Sequence, residues 1–213
     1  MGVFLGPELW RERGKVLPLQ MPNEFPFLYT DFEHDSDFDL FTKLRPPDAG
    51  WGISAGECYI NMDPNEDFYT TVNNAPLLYV IAPRSNYIVQ VKVRGLPDQN
   101  YEQGVLMVYQ GDDDYIKLCH IYYNGEKLLW GYESGGSWTE LTTLSYSGEV
   151  VYLRIEKVDD TYIPFYSTDG VVWTQITPTY TVSYLSPKVG ISAFSYSTAV
   201  MTFYFDNLLV RRR

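Results

Sequence analysis

The chain has 213 residues, 45% of them apolar, which suits one large β domain with a substantial core. Twenty-seven acidic side chains stand against 16 basic ones, for a formal net charge of −11. That balance excludes a nucleic-acid binder, which needs Lys and Arg to neutralise phosphates, and an anionic membrane surface. It leaves neutral glycans and cations as partners.

No segment approaches the roughly 20 apolar residues that span a bilayer, so no membrane insertion is expected. The opening MGVFLGPELWRERGK carries no long apolar run, so no secretory signal is expected either. There are two cysteines, Cys58 and Cys119, both in strand-like runs. They read as small buried hydrophobes, with a single disulfide as the alternative. Only His34 and His120 represent histidine, and no Cys/His cluster has metal-ligand spacing. Nineteen Tyr and five Trp are a heavy aromatic load that serves β-propensity and packing, or a surface on which sugar rings stack.

Residues 1–27 are punctuated by Pro7, Pro18, Pro22 and Pro26. They read as an extended arm with a short helical turn near Glu8–Arg13, and as a candidate homo-oligomerisation element. Strands begin at Leu28, in LYTDFEHDSDFDLF, which runs into an acidic loop. The Pro46–Gly50 cluster is a turn, and WGISAGECYINM reads as two short strands around Ala55-Gly56. FYTTV and APLLYVIA follow. In Tyr87–Arg94 the residues Tyr87, Val89, Val91 and Val93 share one face, and Ile88, Gln90, Lys92 and Arg94 the other.

Val105–Gln110 and Tyr115–Tyr123 are strands joined by Gly111-Asp112-Asp113-Asp114, a solvated hairpin tip. Asn124-Gly125 predicts a two-residue hairpin that pairs Tyr123 with Glu126. In that register Cys119 faces Trp130, Lys117 faces Tyr132, and His120 faces Leu129 on the opposite side. Further strands are predicted at Val150–Lys157, Tyr162–Ser167, Val171–Ile176, Lys188–Phe194 and Val200–Val210. Helical periodicity is almost absent, which predicts an all-β, two-sheet antiparallel β-sandwich over residues 28–213 behind the arm.

Four stretches carry a family resemblance: TDFEHDSDFD followed by WGISAGECYI; GVLMVYQGDDDYIKL; YLRIEKVDDTYIPFYSTDGVVW; and VGISAF followed by FYFDNLLV. Together they resemble a concanavalin-A-like lectin/glucanase sandwich of jelly-roll type. The family they most resemble includes the C-terminal sandwich of β-xylosidases and stand-alone proteins. The resemblance spans about residues 28–210 and implies the fold, a lectin-like role, and a place outside the cell or on a virion or cell surface. One fold hosts many functions, so site chemistry has to be argued from residues.

Glycosidases of this fold class set paired carboxylates on one strand, often as Glu-x-Asp-x-x-Glu. Asp35, Asp37 and Asp39 lack such a Glu, and Glu133 and Glu156 are isolated, so no enzyme is expected. Ser167-Thr168-Asp169-Gly170 closes a turn by side-chain bonds to backbone N–H groups, ahead of Trp173. Asp206 lies in an apolar context. It either ligates a structural Ca²⁺ with Asp31 or Glu33, or accepts backbone hydrogen bonds or pairs with an Arg. The expected glycan contacts are Trp130, Tyr132 and Lys117 on one sheet face, with Tyr109 and Gln90 on neighbouring strands. Cys119 and Ile121 share that face in the predicted register and favour reading Trp130 as core instead. The expected function is non-catalytic glycan or polysaccharide binding. The alternative is a structural module of a virion, tail or surface layer.

Overall fold

A computed structural model of the chain describes residues 26–198 and 201–213, together with three strands nearer the N-terminus. Those three, β1 (Gly2–Phe4), β2 (Leu9–Glu12) and β3 (Lys15–Pro18), form an antiparallel sheet of their own. Leu9–Glu12 is therefore a strand where a helical turn was expected, Pro26 and Phe27 of the expected arm open the first strand of the sandwich, and the remaining residues of the arm lie outside the described ones.

The sandwich follows as β4 (Pro26–Thr30), a 3₁₀ helix (Asp35–Leu40), β5 (Thr42–Leu44), β6 (Trp51–Ser54), β7 (Glu57–Asn61), β8 (Phe68–Tyr69), β9 (Val72–Asn73) and β10 (Leu77–Ile81). Next come β11 (Tyr87–Arg94), β12 (Gln103–Gly111), β13 (Asp114–Tyr122), β14 (Glu126–Ser134), β15 (Ser137–Ser145), β16 (Val150–Val158) and β17 (Thr161–Ser167). The chain ends with β18 (Thr174–Gln175), β19 (Tyr180–Thr181), β20 (Lys188–Phe194) and β21 (Thr202–Arg212). Val200, the expected start of the last strand, lies outside the described residues. The strand expected over Val171–Ile176 shrinks to β18.

One sheet has seven strands in the order β15-β14-β13-β12-β20-β10-β5. The other has nine, ordered β18-β17-β16-β11-β21-β7-β6, with β4 on β21 and β19 on β17. The inner face of the first contributes Leu106, Val108, Ile116, Leu118, Leu128, Trp130, Val189 and Ile191 to the core. Val89, Val91, Val93, Val151, Leu153, Ile155, Phe203 and Phe205 meet them from the second. The alternation read in β11 places its valines inward as expected.

The seven-stranded sheet is apolar on its outer face as well. Leu77, Val105, Met107, Tyr109, Tyr115, Cys119, Ile121, Leu129 and Phe194 form a second cluster there, capped by Phe68 from the small β8–β9 hairpin. Phe68 packs edge-on against Tyr109, Tyr115 and Phe194 at 5.9, 5.8 and 5.6 Å between ring centres. A strand buried on both faces reads as a near-continuous apolar run, and β12 and β13 do.

The β13–β14 turn corrects the expected register. Tyr122, not Tyr123, pairs with Glu126, so three residues make the loop. Asn124 and Gly125 take positive φ as predicted, at 52° and 114°. The Asn124 N–H, however, donates to Asn100 Oδ1 at 2.9 Å, which ties the loop to the β11–β12 connection. A slip of one residue moves every side chain to the other face. Trp130 therefore opposes Leu118 inside the core, while Lys117 opposes Gly131 on the outer face. Cys58 and Cys119 are free buried thiols; Cys58 lies in the core between the sheets and Cys119 in the outer cluster.

Trp130 is fully buried and donates its indole N–H to Pro178 O at 3.0 Å. Trp130→Ala is expected to cost about 3–5 kcal/mol in urea unfolding, through the cavity and the lost bond. A change below about 1 kcal/mol would refute its core role.

His120 is also fully buried on the inner face, with neither ring nitrogen hydrogen-bonded among the described residues. Its ring meets Tyr146 and Phe203 edge-on at 5.3 and 6.4 Å. Burial pushes its pKa down from 6.5 to about 4, so the folded form holds a neutral ring. As pH falls the unfolded chain takes up the proton first. The contribution to stability is whole above 6.5 and is lost on the way down to about 4. Between about pH 7 and about pH 4.5, wild type should lose about 2–3 kcal/mol relative to His120→Leu. Parallel pH profiles would show that the imidazole is not buried neutral.

Candidate functional site

A cavity of about 600 Å³ opens on the outer face of the seven-stranded sheet. Strand alternation supplies its floor. Gln103 comes from β12, Lys117 and Ile121 from β13, Leu129 from β14, and Trp138 and Glu140 from β15. One wall is the β8–β9 hairpin, with Asp67, Tyr69, Thr70, Thr71 and Val72; Tyr101, Tyr123 and Tyr196 complete the lining. Tyr69, Tyr101 and Tyr196 stay 43–52% exposed, which makes them an aromatic rim rather than core.

Trp138 occupies the floor because β14 has a glycine beneath it. A Cβ on Gly131 would come within 2.7 Å of the Trp138 indole and 2.6 Å of Thr139 O. A register shift in the β14–β15 pairing falls between Trp130 and Gly131, where a bulge re-aims side chains. Tyr115 stacks on Trp138 at 6.1 Å and fixes the indole from the hairpin side.

The hairpin is held down from below. Glu133 is fully buried, and its Oε2 accepts the Thr70 N–H at 2.8 Å and lies 3.0 Å from Tyr115 Oη. Tyr115 Oη also bonds the Phe68 carbonyl. Arg45 spreads its guanidinium over the Phe68 ring at 4.6 Å and donates to Ala75 O, Asn73 O and Asp112 Oδ1 at 2.8, 2.7 and 2.9 Å. Thr70 and Tyr101, on opposite walls, both take positive φ, 51° and 76°. Left-handed backbone is costly for a β-branched or bulky residue and concentrates at functional sites.

Lys117 is only 5% exposed. Its Nζ donates to Gln103 Oε1 at 3.1 Å and lies 4.6 Å from the Trp138 ring and 5.3 Å from the Phe194 ring. Among the described residues no carboxylate comes within 4.0 Å of it. Burial raises the pKa of Asp67 above the ordinary carboxylate value, while Lys117 draws it down and Glu133 pushes it up. Apolar planes, a buried cation, a neutral amide and two carboxylates thus converge on one opening. This set can stack on a ring and bond its hydroxyls.

The five expected contacts do not form one platform. Lys117 lines the cavity. Trp130 and Tyr132 lie on the opposite face, with Tyr132 stacked on Tyr180 at 3.8 Å. Tyr109 shares the outer face but donates to Asp112 Oδ1 at 2.6 Å, beyond the lining. Gln90 belongs to the other sheet, where its Oε1 accepts from Arg154 at 2.7 and 3.0 Å. Sequence reading missed Trp138 and Glu140 because it assigned no strand to β15, and missed the tyrosine rim, which three separate segments bring together. The Gly135-Gly136 hairpin signal before it was the available clue.

The expected cation ligands also fall apart. Asp206 Oδ2 lies 3.4 Å from Lys92 Nζ, and its oxygens accept the Asn207 N–H and side-chain amide at 2.6 and 2.8 Å. Lys92 and Arg94 share Glu57 as a further counter-ion. Among the described residues Asp31, Glu33 and Asp206 are not gathered into a group that could hold a metal ion. In the Ser167 turn, Asp169 Oδ1 accepts the Val171 and Val172 N–H groups, both at 2.8 Å. Trp173 then lies over Arg154 at 3.6 Å on the outer face of the nine-stranded sheet, so this turn is architecture.

The fold is similar to that of a functionally unknown protein from Saccharomyces cerevisiae, at 20% identity and TM-score 0.73 over 83% of this chain and 98% of that one. It is similar to part of the xylan β-1,4-xylosidase from Bacillus halodurans, at 19% identity and TM-score 0.79 over 93% of this chain. The chain spans only 42% of that enzyme. A third likeness is to the CBM2 module of the evolved Dit of Lactobacillus casei BL23 phage J-1, at 11% identity and TM-score 0.61. That match covers 88% of this chain and 96% of the module. No curated protein matches the chain by sequence. A family profile does match, over residues 44–213, and the chain belongs to that family, DUF1349, described as proteins of unknown function.

Proposed function

We propose that the protein is a non-catalytic carbohydrate-binding module whose ligand sits in the cavity over Trp138. The observation that carries this reading is the composition of that cavity. Its half-buried indole and tyrosine rim offer planes to the C–H face of a sugar, and Lys117, Gln103, Asp67 and Glu140 offer donors and acceptors to its hydroxyls. The likeness to a domain-sized part of a xylosidase and to a phage module supports a binding role beside other machinery, outside a cell or on a virion. Catalysis is not part of the reading, since no Glu-x-Asp-x-x-Glu strand motif accompanies the pocket.

A structural role in an assembly is the second reading, favoured by the phage module, which the chain matches over nearly its full length. A glycan array on the full chain separates the two. Reproducible binding lost in Trp138→Ala, with melting unchanged within a few degrees, supports the first. A blank array from a folded protein that forms a defined oligomer supports the second.

Two outcomes follow from the first reading. Gly131→Ala should displace the indole and weaken glycan binding at least about tenfold, a loss of about 1.4 kcal/mol by calorimetry. Unchanged affinity would place the ligand elsewhere. Because Lys92 neutralises Asp206, EDTA should change neither the affinity nor the melting temperature. A melting temperature that rises with added calcium would restore the cation.

A further inference from the structure

Lys117 is the most deeply buried cation among the described residues. Elsewhere half-buried Lys127 and Lys188 lie over tyrosine rings, while other cations of the sheets are paired with carboxylates. Lys92 and Arg94 share Glu57, and Arg154 lies beside Glu156 at 3.7 Å. Lys117 is more deeply buried than any of these, yet its side chain donates to one neutral amide oxygen, Gln103 Oε1. An ammonium has three donors, and the two neighbouring rings, Trp138 and Phe194, satisfy its charge only through their faces. Asp67 acts on this cation only from beyond 4.0 Å, so burying it is costly, and a ligand that brings an anion into contact recovers part of that cost on binding.

We propose that the cavity selects an acidic sugar, with the carboxylate of a hexuronic acid residue on Lys117 and the pyranose ring over Trp138. This rests on the carbohydrate-binding reading above and names its ligand class. A hexuronic acid fits the remaining groups as well. Its hydroxyls can donate to Asp67 and Glu140, which a carboxylate alone cannot do. The two acids do not cancel the lysine. Glu140 is exposed, where solvent screens it, and burial raises the pKa of Asp67 above the ordinary carboxylate value.

The test is calorimetry on the full chain with oligogalacturonate, oligoglucuronate and oligomannuronate, each beside its carboxyl-reduced counterpart. At least one acidic oligosaccharide should bind about tenfold tighter or more than its neutral twin, the expected yield of a hydrogen bond to a charged group. Lys117→Met keeps the apolar stem and removes the charge. It should erase the preference without lowering the melting temperature, because the variant no longer buries an ion. Neutral sugars binding as tightly as acidic ones would overturn this inference and leave the carbohydrate reading standing. So would an acid preference that survives in Lys117→Met. A folded protein that binds none of the six would overturn this inference, and a blank glycan array beside it would overturn the carbohydrate reading as well.

Discussion

The structure turns on the double burial of β12 and β13. A sheet in a sandwich needs only one apolar face, yet these strands present Leu106, Val108, Ile116 and Leu118 inward and Val105, Met107, Tyr115 and Cys119 outward. The outward set must be covered, and the short hairpin bearing Phe68 covers part of it. Covering only part leaves a recess beside the hairpin, and that recess is the cavity. The pocket is the unfilled remainder of a packing problem set by two apolar strands.

Charge is arranged to the same end. On the outer face of the nine-stranded sheet, cations and carboxylates alternate across strands: Lys92 sits opposite Asp206, and Arg94 and Lys92 both reach Glu57. Much of that face is neutralised within itself. The buried anion Glu133 has its work inside the protein, holding the hairpin through Thr70. Lys117 instead faces the cavity, where aromatic planes and hydrogen-bonding groups are open to solvent.

Much of this was legible in the sequence. The alternation in β11 gave its inward valines, and the turn clusters gave most strand boundaries. The four stretches that resemble a concanavalin-A-like sandwich gave the two-sheet architecture. The site was legible only in Lys117. Local signals identified the Asn124-Gly125 turn, but the loop length was set by Asn100, a partner 24 residues away. That one-residue difference inverted the expected face of Trp130 and hid the role of Gly131. Asp206 looked like a ligand because its strand is apolar. Its true counter-ion comes from β11, more than a hundred positions upstream, through a pairing no local pattern reports.

The β8–β9 hairpin belongs to neither large sheet. Its grip on the protein runs through the Phe68 ring and backbone atoms, namely Phe68 O, Thr70 N, Asn73 O and Ala75 O, so the side chains at its tip are not what anchors it. Tyr69, Thr70 and Thr71 can therefore be exchanged at little structural expense, while the floor on β13–β15 is locked into strand register. Such a division makes the pocket evolvable: one sandwich can be retuned from one ligand to another by rewriting a few positions of a single overhanging wall.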